Sequence, residues 1–99
     1  MCKKEMEIPE IKLVPTPETE EAKEAIGYKY NSEAGVRHKL GGKPDFIQDE
    51  EWPTCCGGKM TFYGQLDSIG DNYDLADCGI IYVFVCYDCF NTKSTLQAY

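Results

Sequence analysis

Six cysteines fall in a chain of 99 residues, and four of them stand in two tight groups, Cys55-Cys56 and Cys86-Tyr87-Asp88-Cys89. Each group borders a run with the pattern of a β-strand. Residues 59–67 alternate, with Met60, Phe62 and Leu66 on one face, as a half-buried strand does. Residues 80–86 are apolar at every position and rich in β-branched and aromatic side chains, which suits a central strand. If these strands pair antiparallel, the start of one lies beside the end of the other, and the two cysteine groups meet at one end of the hairpin.

Four thiolates meeting this way suit a tetrahedral zinc ion, which favours soft ligands and imposes no geometry of its own. The Cys86-x-x-Cys89 spacing is that of a zinc knuckle. The adjacent pair is irregular. Neighbours along a strand point to opposite faces, so Cys55 and Cys56 reach one ion only if the chain turns sharply there. Gly57-Gly58 makes such a turn cheap. The expected ligands are Cys55, Cys56, Cys86 and Cys89, with Cys2 and Cys78 outside the set. His38 is a substitute for one of the adjacent pair, but a lone loop histidine is more often no ligand. A closed four-thiolate site leaves no position for water, so the zinc would be structural.

The size of the chain gives such a staple a purpose. A single domain of residues 1–99 hides only roughly 60–65% of its unfolded surface, and small domains often add a metal or disulfides. The choice between these follows from the compartment. Residues 1–7 have no apolar core of a secretory signal, and no apolar run approaches the length of a membrane span. A cytoplasmic protein is therefore expected, and in reducing cytosol paired cysteines more often hold metal.

The remaining segments carry weaker signals. Ile11-Lys12-Leu13 lies between Pro9 and Pro15 and reads as a short edge strand, within a partly flexible N-terminal segment of residues 1–15. Residues 16–27 read as a short surface helix capped by Thr16, opened by Pro17 and stopped by Gly27. Residues 92–97 suggest a third long strand. Arg37, His38, Lys39 and Lys43 form a basic cluster in a segment punctuated by Gly41-Gly42 and Pro44, read as a solvated loop. Asp71, Asp74 and Asp77 lack the spacing and terminal Glu of a calcium loop.

Seventeen acidic against ten basic residues give a net charge of −7, which disfavours binding by phosphate neutralisation and suits a basic protein partner. No nucleophile–base pair, phosphate-cradling glycine motif or zinc-hydrolase helix is present, so the chain is not expected to be an enzyme. A thioredoxin-type site would set Cys-x-x-Cys at a helix start, and Phe90-Asn91-Thr92 is a poor one.

The string Lys39-Leu40-Gly41-Gly42-Lys43-Pro44, then Pro53, Met60 and Gln65, then Ile81-Tyr82-Val83-Phe84-Val85-Cys86, resembles the YwqG-like family of bacterial proteins. That family is similar in turn to the eukaryotic programmed-cell-death-protein-2 family. The resemblance covers residues 39–89. It implies no known reaction, but a role in gripping another protein, of immunity or chaperone type, around zinc knuckles. The chain departs from the pattern at the adjacent Cys55-Cys56, where relatives have a spaced pair, and at Asp45, which precedes Phe46 where an aromatic is usual. Relatives are longer, with two related halves. A single half would expose a sheet edge that a homodimer can cover.

The fold expected is thus mainly β (α+β): a small antiparallel sheet with a zinc-knuckle-like cysteine cluster at one end of a hairpin, one short N-terminal helix, and a β core over residues 39–97. The function expected is a non-enzymatic, zinc-stabilised module that binds a protein, without nucleic acid or membrane. Trp52 beside the Gly41–Pro44 turn is the candidate anchor, with core packing the alternative. The alternatives in function are a zinc ribbon touching nucleic acid through residues 37–43, and a thiol-disulfide protein using Cys86 and Cys89.

Overall fold

The structure, a computed structural model, describes residues 6–28 and 34–99. Cys2, and part of the N-terminal segment expected to be flexible, lie outside the described residues. Five strands form one antiparallel sheet in the order β1-β2-β5-β6-β7: Ile11–Lys12, Lys39–Leu40, Thr61–Asp67, Ile80–Val85 and Thr92–Gln97. Two further strands, β3 (Thr54–Cys55) and β4 (Gly58–Lys59), make a separate tight hairpin. No helix among the described residues is long and apolar enough to cross a membrane.

The α-helix among the described residues, α1, spans Glu20–Ala25, shorter than the sequence suggests. Its cap is Thr19, whose Oγ1 accepts from the Ala22 N–H at 3.0 Å, and not Thr16. Capping there puts Glu20 and Glu21 in the first turn, at the positive end of the helix, and keeps β-branched Thr19 out of the helical interior. At the far edge of the sheet, Ile8 O accepts from Gly42 N–H and His38 O from Leu13 N–H, tying residues 8–13 to the sheet. Gly41 is required here. Its φ is +64, and a Cβ would run into the Pro9 carbonyl.

β6 is the centre of the core. Ile80, Tyr82, Phe84 and Cys86 alternate onto one face at 0–1% exposure, with Met60 and Phe62 beside them. The layer over this face is not a helix or a second sheet but the irregular segment 44–53. Phe46 and Trp52 from that segment pack on Tyr82 and Phe84, with ring centroids 5.1 and 5.7 Å apart. Trp52 therefore serves core packing, and its Nε1–H donates to Met60 O at 2.7 Å. An irregular layer cannot satisfy its own backbone, and unsatisfied buried groups are costly. Three buried side chains of the sheet make good the deficit. Gln65 Oε1 accepts from Asp45 N–H, the Tyr82 hydroxyl bridges Asp45 O and Ile47 N–H, and Gln97 bonds Gln48 N–H and Asp49 O.

Leu66 does not lie on the Met60–Phe62 face. The pairing of β5 with β6 slips between Phe62 and Gly64, a bulge that leaves Tyr63 extra. One added residue reverses the alternation beyond it, so Gln65 turns inward at 1% exposure and Leu66 outward at 51%.

Of the basic cluster, Lys43 is exposed as a solvated residue would be, but Arg37, His38 and Lys39 are not. Arg37 is not solvated: its Nε and Nη2 donate to the two oxygens of buried Asp67 at 2.8 and 2.6 Å. The same carboxylate accepts backbone N–H bonds from Gly35, Arg37 and Ser68. His38 is buried, with Nδ1 accepting from Asp67 N–H, and Lys39 is 9% exposed between Glu10 and Asp45. Burial alone would raise the Asp67 pKa, but the Arg37 guanidinium and the backbone donors hold it below the ordinary carboxylate value. Its stabilisation is therefore complete above the unfolded pKa of about 4 and is lost as the pH falls through the lower folded value. Asp67→Asn is expected to cost about 3–5 kcal/mol by leaving Arg37 without its counter-charge. Urea unfolding near neutral pH measures this, and a cost under about 1 kcal/mol contradicts the bridging role.

Candidate metal centre

The two cysteine groups reach one end of the sheet from different local structures. β3 and β4 pair Thr54 with Lys59 and Cys55 with Gly58, and Met60 N–H closes the hairpin onto Pro53 O at 3.0 Å. The loop is then two residues, Cys56 and Gly57, with φ of 53° and 82°. Two successive positive φ values are the signature of a type I′ turn, which matches the twist of a tight hairpin. The sharp turn that the adjacent cysteines demand is thus present, with Cys56 inside it and Cys55 just before it.

The second group leaves β6 in a similar tight corner. Cys86 N–H donates to Asn91 O at 2.9 Å, and Phe90 N–H returns to Cys86 O at 2.7 Å. Phe90 sits at φ 63°, a costly conformation for a bulky side chain, and is 67% exposed with its ring edge-on to Tyr87.

The turns bring the sulfurs of Cys55, Cys56, Cys86 and Cys89 within 4.8 Å of one another. Cys55 Sγ lies 3.5 Å from Cys89 Sγ and 3.9 Å from Cys56 Sγ. A disulfide needs about 2.05 Å, so these are not bonded pairs. Four sulfurs at about 2.3 Å from a central ion stand about 3.8 Å apart along each tetrahedral edge, close to the spacings seen. Cys86 is buried; Cys56 and Cys89 are exposed.

The electrostatics suit a cation. Backbone N–H groups of Cys89 and Asp88 point at the Cys86 sulfur and lower its pKa to about 6, making it a ready thiolate. Its neighbours move the other way. Cys56 is pushed up to about 12 and Cys55 is raised, in each case first by hydrogen bonding to Cys89 and then to Cys86. A cation placed among these sulfurs would favour the deprotonated form that metal ligation requires.

All four expected ligands are therefore brought together. His38 is not among them, since it binds Asp67 at the other end of β5. Cys78 lies near Asp74 and Asp77, but Asp74 already accepts from the Tyr28 hydroxyl and the Cys78 N–H. The Asn91 amide lies 3.9 Å from Cys55 Sγ, a neighbour that no motif in the sequence marks.

The chain is thus a small antiparallel β domain carrying a four-thiol cluster that can hold a metal ion. No family model matches it, and no solved structure matches it. Over 61 residues, 60% of this chain, it is 34% identical to the uncharacterized protein YpfL of Salmonella typhimurium. That match takes up 14% of the relative's length, so the chain corresponds to about one seventh of it.

Gly57 tests how far the turn governs the site. Its Cβ position meets nothing within 4 Å, so the cost of Gly57→Ala is that of a positive φ alone, about 1–2 kcal/mol. Gly57→Asn, which tolerates that φ, should cost less. Denaturant titration of the two variants checks the order; equal costs contradict the type I′ assignment.

Proposed function

We propose that the chain is a non-enzymatic module stapled by one structural zinc ion on Cys55, Cys56, Cys86 and Cys89, and that it works by binding another protein. The observation that carries the zinc is the cluster itself: four thiols from two tight corners at near-tetrahedral spacing, one of them already favoured as thiolate. Four thiolate ligands fill the coordination sphere, so the ion would hold β3–β4 against the end of β6 and do no chemistry.

Support for a protein partner is of another kind. The net charge of −7 favours a basic partner. The resemblance of residues 39–89 to the YwqG-like family, and through it to the programmed-cell-death-protein-2 family, implies a gripping role of immunity or chaperone type. The polyanion alternative loses its footing, because Arg37 and Lys39 are already paired with Asp67, Glu10 and Asp45. A groove of about 540 Å³ lined by Pro9, Pro44, Phe46, Trp52 and Lys59 is a concave surface beside the Gly41-Gly42-Lys43-Pro44 turn.

Elemental analysis after purification without chelator is expected to find about one zinc per chain, and Cys89→Ser to lose it. Removal of zinc should lower Tm by more than about 10 °C, since structural zinc contributes folding energy directly. Absence of metal in folded wild-type protein contradicts the staple. Salt-sensitive retention on a polyanion column would instead favour the nucleic-acid reading.

A further inference from the structure

The two edges of the sheet are unlike. One edge is β1, two residues long and followed closely by Pro15. The other is β7, Thr92–Gln97, six residues paired to β6 without a bulge and containing no proline. Its hydrogen-bonding phase follows from the corner that precedes it. Cys86 N–H donates to Asn91 O, so the bonded pairs with β6 are 84–93, 82–95 and 80–97. The N–H and C=O groups of Thr92, Ser94 and Leu96 then point away from the sheet, and all three residues are exposed. A long regular edge of this kind is a template for another strand.

We propose that this edge pairs with the β7 of a second copy of the same chain, antiparallel about a two-fold axis at Ser94, to give one continuous ten-stranded sheet. The outward groups are self-complementary about that axis. Ser94 faces Ser94 of the second copy, and Thr92 faces Leu96, so every outward donor meets an outward acceptor.

Charge favours a copy of this chain as the occupant. Over β7 the only charge is Lys93, on a chain of net −7, so the edge is a stretch where two acidic molecules approach without repulsion. In this register Lys93 lies opposite Thr95 of the second copy and diagonal to both its Gln97 and its Lys93, within reach of a long side chain. Gln97 holds the Glu51 carboxylate at 2.9 Å, beside Asp49 and Glu50. Each lysine thus comes within reach of the other copy's acidic segment, whose carboxylates offset the diagonal approach of the two lysines, and no like charges stand directly opposite. The outward row Leu66–Ile81–Leu96 would meet Thr92 and then Val85 of the second copy.

An interface built from one six-residue edge falls below the roughly 1,200 Å² of a stable complex, so the dimer should be weak and concentration-dependent. Sedimentation velocity from about 10 µM to about 1 mM should show a monomer–dimer equilibrium. Ser94→Pro removes the N–H on the axis but no bond to β6, and should weaken association at least about tenfold. If circular dichroism shows that this variant misfolds, Ser94→Lys replaces it, setting two ammonium groups face to face on an exposed site. Register is read by mild oxidation of Ser94→Cys. A bonded antiparallel pair has Cα atoms about 5.5 Å apart, within disulfide range. Peptide mapping should find a link between the two substituted positions, and none for Thr92→Cys, whose copies stand about 13 Å apart. A wild-type monomer throughout with no link through position 94 overturns the proposal. So does association that Ser94→Pro or Ser94→Lys leaves unchanged.

Discussion

Segment 44–53 lies on the buried face of the sheet without strand or helix of its own, and everything near it is arranged to satisfy its backbone. Gln65, Tyr82 and Gln97 belong to three adjacent strands, and each hands a polar side-chain atom up to this segment. Their burial would be a penalty anywhere else, since an unpaired buried polar group costs about 1–3 kcal/mol. Here the same atoms fix where Phe46 and Trp52 rest on Tyr82 and Phe84. Trp52 in turn holds Met60 O, at the seam between the cysteine hairpin and β5. The cysteine cluster is positioned through this chain of contacts.

Much of the architecture was legible because it is periodic. β6 falls where the apolar run places it and β7 over residues 92–97 as expected, and the antiparallel pairing of β5 with β6 that brings the cysteines together follows from their order. The reversal at Leu66 was not legible. A bulge is a pairing event between two strands, and nothing in Lys59–Asp67 alone marks Tyr63 as the extra residue. Gln65 looked like an outward polar position for the same reason. The helix start moved from Thr16 to Thr19 because both threonines precede acceptable first turns, and the better placement of the acidic residues decides between them.

The candidate site was readable in its ligands and only half readable in its mechanism of assembly. Adjacent cysteines seemed awkward when taken as strand residues; placing Cys56 inside a two-residue turn removes the difficulty. The basic cluster misled, because residues 37–39 are sequence neighbours with three different surroundings. Arg37 and Lys39 meet carboxylates that lie 30 and 29 positions away, at Asp67 and Glu10, and no local pattern reports such distant pairing. What reads as a solvated loop in the sequence is, over residues 35–39, the buried junction that ties this segment to the end of β5.

The central claim is that the four thiols hold one zinc ion. X-ray absorption at the zinc edge on the protein as purified reads the coordination shell itself. The account predicts four sulfur scatterers at about 2.3 Å and no nitrogen or oxygen in the first shell. A mixed shell with nitrogen or oxygen at about 2.0–2.1 Å would mean an incomplete or differently ligated site, and would contradict the closed structural centre derived from Cys55, Cys56, Cys86 and Cys89.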